Sequence, residues 1–222
     1  MKNKLLLSFS ITIIFTIAIA DSIAQPSKAE ACISDIMDQS KIAGLSVAVV
    51  KDNRIVYTHS FGQKNIATNT PLTDDCLFRI ACISKSFTAT SIMQLVEAKK
   101  MSLNDDVSNL IGFKVRNPKF PEKVITLKMI LSHRSSLNDS EGYFSLDFIN
   151  PGKNPNWQKC YNDYEPGTGY QYCNLNYNMA GTILEKVSGE RFDQYVKHHI
   201  LDPLGLYGGY CVDSLDQSRF AT

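Results

Sequence analysis

Two short stretches hold residue types whose spacing could support nucleophilic chemistry. In Cys82-Ile83-Ser84-Lys85 the thiol and the amine stand three residues apart, so a helix beginning there sets them side by side on one face. A helix N-terminus also favours an anion through its free N–H groups and its dipole. A cysteine so placed beside a cation is disposed to ionise and to attack a carbonyl. The rest of this helical stretch carries no charge until Glu97, and a lysine buried in such surroundings requires partners. Spacing alone also suits a small core cysteine next to a surface lysine. The second stretch, Tyr170-Gln171-Tyr172-Cys173-Asn174, offers the Tyr172 hydroxyl and the Asn174 amide. A tyrosine beside an ammonium has its phenolate favoured and becomes a usable general base, although Tyr172 by itself is also one aromatic in a tyrosine-rich loop. His133 permits another reading, a Cys–His pair with Cys82 as a thiol nucleophile. His198-His199 reads as a solvated or capping pair at a helix end. No cysteines or histidines stand at metal-ligand spacing, so neither a metal nor another cofactor is expected.

The elements that must position these groups can be read from periodicity and turn residues. Residues 29–40 form an entry helix with Ile33, Ile36 and Met37 on one side. Gly44–Val50 and Ile55–Phe61 are strands of a hairpin turned by Lys51-Asp52-Asn53-Arg54, and Thr73-Asp74-Asp75 is a polar break before a second unit. From Cys82 to about Lys99 the pattern is helical and so poor in charge that it predicts burial on most sides. Further helices are expected over Leu127–Ser132, over about Asn174–Val187 with Gly189 as its stop, and over about Phe192–Leu201 with Pro203 beyond. Residues 138–171, rich in Gly, Pro, Asn and Tyr, read as one long irregular connection.

Composition narrows the partners. Lys plus Arg is 23 against 22 for Asp plus Glu in 222 residues, a balance that excludes polyanion binding driven by net charge. Lys2 and Lys4 precede an apolar run from Leu5 to Ala20, followed by small residues up to Ala24. That order reads as a secretory signal peptide, with an uncleaved membrane anchor as the alternative that the shortness of the run disfavours; residues 1–24 are thus expected to be removed and residues 25–222 to form the mature domain. Cleavage there takes away Lys2, Lys4 and Asp21 and leaves a neutral chain in the periplasm or outside the cell. No stable membrane span is expected to remain. Six cysteines in an exported chain allow disulfides, with Cys160 joined to Cys173 or Cys211 as candidates.

The stretch Phe78-Arg79-Ile80-Ala81-Cys82-Ile83-Ser84-Lys85-Ser86-Phe87-Thr88 resembles the S-x-x-K region of serine β-lactamases, penicillin-binding proteins and related esterases. Glu165 to Asn174 is similar to the segment carrying Y-x-N in the class C β-lactamase and D-Ala-D-Ala carboxypeptidase branch. Leu131 to Leu137 resembles the family's LLxHxSGL stretch, and Pro203-Leu204-Gly205-Leu206 its PLG turn. The match is collinear from about residue 35 to residue 215. The resemblance implies an α+β fold of the α/β sandwich type: an antiparallel sheet flanked by helices, plus a helical lobe. It implies acyl transfer through an acyl-enzyme, with Lys85 and Tyr172 moving protons and Asn174 holding the substrate amide. It also makes His133 a structural residue at a turn. The substrate would be a small molecule or peptide, namely a β-lactam, a D-amino-acid peptide or an ester, and the chain a monomer without nucleic-acid partners. One departure is plain: Cys82 stands where the family has its acylated serine, and no serine of this chain has a lysine three residues on. The family's third motif, K-T-G or H-x-G, does not occur between Asn174 and Thr222. The resemblance therefore implies that the C-terminal strands of the sheet are missing, with one half of the oxyanion hole. It also implies that residues 25–222 alone fold poorly. The alternative function is a catalytically inactive relative that binds cell-wall peptides.

Overall fold

Asp52 and Asn53 decide the first element. Both adopt positive φ, 49° and 58°, the backbone of a two-residue hairpin loop whose twist matches that of its strands. On either side β1 (Gly44–Lys51) and β2 (Arg54–Asn65) pair antiparallel, with Lys51 opposite Arg54 and Gly44 opposite Gly62. A short β3 (Thr70–Pro71) pairs antiparallel with β2, giving the order β1-β2-β3. Gly62 is needed where it stands: its φ is +76°, and a Cβ there would lie 2.2 Å from the carbonyl oxygen of Ala43.

The computed structural model describes residues 28–222, so residues 1–24, expected to be a signal peptide, lie outside the described residues. The described residues form two compact units, one running to Arg79 and taking in Asp216–Thr222, the other spanning Ile80–Leu215. In the first unit α1 (residues 28–40) precedes the hairpin, and Met37 and Leu72 are buried. The end of the chain joins this unit through Leu77, whose N–H donates to Arg219 O and whose carbonyl accepts from Ala221 N–H. β1 is an edge strand, and Val50, Ile55 and Val56 of the hairpin are more than half exposed.

The second unit is helical: α2 (Lys85–Glu97), α3 (Val107–Ile111), α4 (Leu127–Leu131), α5 (Asn174–Ser188) and α6 (Phe192–Val196). α5 is its axis, with Leu175, Met179, Ile183 and Leu184 fully buried against Ile92, Val107, Leu127 and Ile130. Gly189, at φ 76°, ends α5 in the left-handed conformation that glycine tolerates best. α6 passes into a π-helical turn, Lys197–Leu201, which brings His198 and His199 onto one carboxylate, Glu190, at 2.8 and 2.9 Å. Residues 138–171 make little regular structure but are held by amide side chains. Asn117 donates to Ser136 Oγ and to Asn162 O, and Asn162 donates to Leu137 O.

Two sequence expectations need correction. α2 is not buried on most sides: Thr88, Ser91, Ile92 and Leu95 are buried while Met93 is 45% exposed. Within the unit, α5 and α6 cover one side of α2, and apolar content alone does not report how many sides are covered. The cysteines, expected as disulfide candidates, are all free. Cys160 and Cys173 are both buried but separately engaged, Cys160 Sγ with Phe148 O and Cys173 Sγ with Asp139 Oδ1 at 3.1 Å. Burial raises both thiols, that of Cys173 to about 12, so each stays protonated and inert.

Asp106 gives the helical unit a pH-dependent element. Its carboxylate caps α3 by accepting from Ser108 N–H and forms a bidentate ion pair with Arg116. Burial pushes this carboxyl up, but the guanidinium and the N–H donor outweigh it and hold the carboxyl below its usual range. A depressed carboxyl stabilises the fold above its unfolded value of about 3.9 and loses that contribution as pH falls through the lower folded value. Asp106→Asn is expected to cost about 1–3 kcal/mol near neutrality. In thermal melts from pH 7 down to acid, the gap between wild type and variant should close; a gap independent of pH would remove the ion pair from the account.

Candidate active site

The first group is placed by a change of helix type. Ala81–Ser84 is a 3₁₀ turn leading into α2, and a repeat of three residues puts Cys82 and Lys85 nearly in line. Ala81, the first residue of the turn, holds φ at 45°, a conformation uncommon for a residue with a Cβ and frequent next to functional groups. Cys82 is exposed and Lys85 half-buried, with Lys85 Nζ donating to Cys82 Sγ at 3.4 Å.

The second group is placed by the turn after α4. His133 takes φ 56°; its carbonyl accepts from Gln171 N–H, and Arg134 O accepts from Gly167 N–H at 2.8 Å. The His133 ring accepts from Cys173 N–H at Nδ1, 3.2 Å, and lies against the rings of Tyr172 and Tyr177 with centroids 4.5 and 5.2 Å apart. Residues 167–173 are thereby laid along this turn, and Tyr172 reaches the thiol. Burial, and then the nearby Lys85 charge, lower the pKa of His133, which suits a neutral ring accepting at Nδ1. No hydrogen bond joins His133 to Cys82 among the described residues, so the Cys–His pair is not formed; His133 instead anchors the segment that carries Tyr172.

The four residues singled out in the sequence meet at one place. Lys85 hydrogen-bonds to the Cys82 sulfur, and the Tyr172 hydroxyl lies near enough to act on the same thiol. Lys85 Nζ also donates to Asn174 Oδ1 at 2.8 Å and lies 5.0 Å from the ring centre of Tyr172 and 5.7 Å from that of Tyr177, favourable positions for a cation over aromatic faces. The Tyr172 hydroxyl, followed by Lys85, holds the Cys82 thiol below its ordinary range. Burial alone would pull Lys85 down, but Tyr172 and Cys82 outweigh it and keep the ammonium above its usual value. Both shifts favour the ion pair of thiolate and ammonium over what isolated side chains would show. A serine in the same place would need a base to remove its proton at the moment of attack, whereas this thiol is activated by ion pairing. A cleft of about 430 Å³ opens beside the group, lined among others by Lys85, Asn174, Tyr143, Tyr177, Phe192 and Tyr210. No cluster of metal-ligating side chains occurs among the described residues.

Sequence reading missed Asp139 and Tyr177. Tyr177 donates to Leu131 O at 3.1 Å and closes the side of the site behind Lys85. One turn along α5 from Asn174, it was open to a helical-face argument. The clue to Asp139 was subtler: Cys173, the residue before α5, has no oxygen with which to cap the helix, so an acceptor had to come from elsewhere in the chain.

The β-lactamase family profile matches residues 29–210, and the chain belongs to this β-lactamase and penicillin-binding-protein family. Penicillin-binding protein 4* of Bacillus subtilis is 29% identical over 172 residues, 72% of this chain and 36% of that protein. The putative penicillin-binding protein PbpX of the same organism is 32% identical over 179 residues, 78% of this chain and 42% of that protein. The octameric penicillin-binding protein homologue from Pyrococcus abyssi superposes with a TM-score of 0.72 at 30% identity, covering 88% of this chain and 47% of that one. The chain thus matches well under half the length of these two B. subtilis relatives, and its α+β fold of helices and antiparallel sheet is the one these proteins share.

Proposed function

We propose that this chain is the nucleophile-bearing part of an exported acyl-transfer hydrolase whose attacking group is Cys82. The observation that carries the reading is the hydrogen bond of Lys85 to Cys82, with the Tyr172 ring beside the same ammonium. The Cys82 sulfur attacks the carbonyl carbon of a β-lactam, a D-amino-acid peptide or a small ester, and a C–S bond forms as the carbonyl electrons move to oxygen. Collapse of this adduct breaks the bond to nitrogen or oxygen, and the leaving group takes its proton from Lys85 or Tyr172. Water, deprotonated by the same pair, then hydrolyses the thioester and returns the thiol. Asn174, held by Lys85, offers its amide to the substrate. Export rests on the basic start and apolar run within residues 1–24.

The test is incubation with a panel of chromogenic esters, a labelled penicillin and D-alanyl thioesters. One acyl group per chain, gained in time-dependent fashion, is expected with at least one class, and the class identifies the substrate chemistry. A second reading draws on the replacement of the family's serine by Cys82: a non-catalytic relative that binds cell-wall peptides. Saturable peptide binding without any acylation would establish that reading instead.

A further inference from the structure

From the polar network behind Lys85 we propose that Asp139 is a positioning residue for the nucleophile, acting through Asn174. Its carboxylate accepts four hydrogen bonds. Oδ2 takes Asn174 N–H at 2.8 Å and Asn174 Nδ2 at 2.9 Å, while Oδ1 takes Leu175 N–H at 3.0 Å and the Cys173 thiol at 3.1 Å. That uses the full accepting capacity of a carboxylate. Two of these bonds cap α5, whose own leading residue cannot. The bond to Asn174 Nδ2 does something different. An amide side chain can be turned over with little change of shape, and only its two partners decide which end faces where. Asp139 accepts from the NH₂ end and so fixes the oxygen end toward Lys85, where Oδ1 receives the ammonium at 2.8 Å. Lys85 in turn donates to Cys82. The chain of contacts Asp139–Asn174–Lys85–Cys82 thus runs from a helix cap to the sulfur, and each link constrains the next.

A purely structural Asp139 would hold the start of α5 and nothing more. The two roles separate in the reactivity of Cys82. Removing the Asp139 charge, taken as an electrostatic change alone, takes away an anion and would make the thiol easier to ionise. Loss of positioning has the opposite sign, because Lys85 is no longer held at the sulfur. The proposal rests on the acyl-transfer reading only in taking Cys82 as the nucleophile, and alkylation tests it without any acyl substrate.

The experiment measures iodoacetamide alkylation of Cys82 against pH in the full chain, by mass spectrometry of the peptide that carries it, with exposed Cys32 as internal reference. Asp139→Ala and Asn174→Ala are each expected to slow alkylation at neutral pH severalfold and to move its pH profile upward. The double variant is expected to be no slower than the slower single variant, because both act through one amide. A folded Asp139→Ala whose Cys82 profile is unchanged or shifted downward overturns the proposal, as does a double variant in which the two effects multiply. If Asp139→Ala does not fold, Asp139→Asn, which keeps one accepting oxygen, is measured in its place; slower alkylation supports positioning, and an unchanged profile rejects it. Failure of acylation with every substrate, beside the expected alkylation results, would remove the acyl-transfer reading and leave the positioning role standing.

Discussion

Lys85→Met is expected to reduce acyl transfer by about 10²–10⁴-fold, the range spanned by loss of a positioned proton-transfer group. Methionine keeps the length and apolar stem of the side chain, so α2 and its packing are preserved and the change falls on charge. Four contacts disappear together: the donor to Cys82 Sγ, the donor to Asn174 Oδ1 and the cation over the Tyr172 and Tyr177 rings. Two chemical consequences follow. The thiol loses one of the two groups that lower its pKa, keeping Tyr172, so its alkylation profile shifts to higher pH. The leaving group and the hydrolytic water lose their proton partner, which adds to the loss in turnover. In wild type, reactivity should fall as pH drops through the depressed Cys82 value and should fall again at alkaline pH as the Lys85 ammonium, held above its ordinary value, is lost. A Lys85→Met protein with an unchanged pH profile would mean that Lys85 is a bystander.

Cys82→Ser carries the second large effect. Iodoacetamide labelling at this position should vanish, because a neutral hydroxyl is a far weaker nucleophile than a thiolate. Acylation by a penicillin should move the other way, rising by up to about a hundredfold. Oxygen is smaller than sulfur and sits closer to the helix, and misplacement of a reacting atom by about 1 Å costs on the order of a hundredfold. On the proposed acyl-transfer reading, Lys85 and Tyr172 stand beside such a serine as its proton-transfer partners. Measured as label incorporated per chain over time, no gain with serine would show that the site has drifted from the family's geometry beyond the nucleophile alone.

Much of this arrangement was legible before any coordinates. The Asp52-Asn53 turn, the Gly189 stop and the helical periodicity of residues 174–188 are local signals, each set by a residue's own backbone preference, and they gave elements within a residue or two. The meeting of Cys82, Lys85, Tyr172 and Asn174 was legible through resemblance, since spacing brought only Cys82 and Lys85 together. What escaped was not local. Asp139 caps a helix that begins 35 residues later, and no window of sequence relates the two. α3 was passed over although Asp106 caps it and Gly112 stops it, because five residues are too few to show a period. The exposure of Met93 depends on which partners cover α2, a property of neighbours and not of the helix. Free Cys160 and Cys173 teach the same lesson: each thiol has its own partner in space, which counting cysteines could not reveal.

The account stands most directly on where an acyl group lands. The chain should be incubated briefly at neutral pH with a p-nitrophenyl ester or labelled penicillin, quenched in acid, digested and mapped by mass spectrometry, with sensitivity to hydroxylamine marking a thioester. The expected result is a single acyl group on the peptide containing Cys82, absent from Cys32, Cys76 and Cys211. An acyl group on another residue, or equal labelling of Cys32 and Cys82, would contradict the claim that Lys85 and Tyr172 make this thiol the nucleophile.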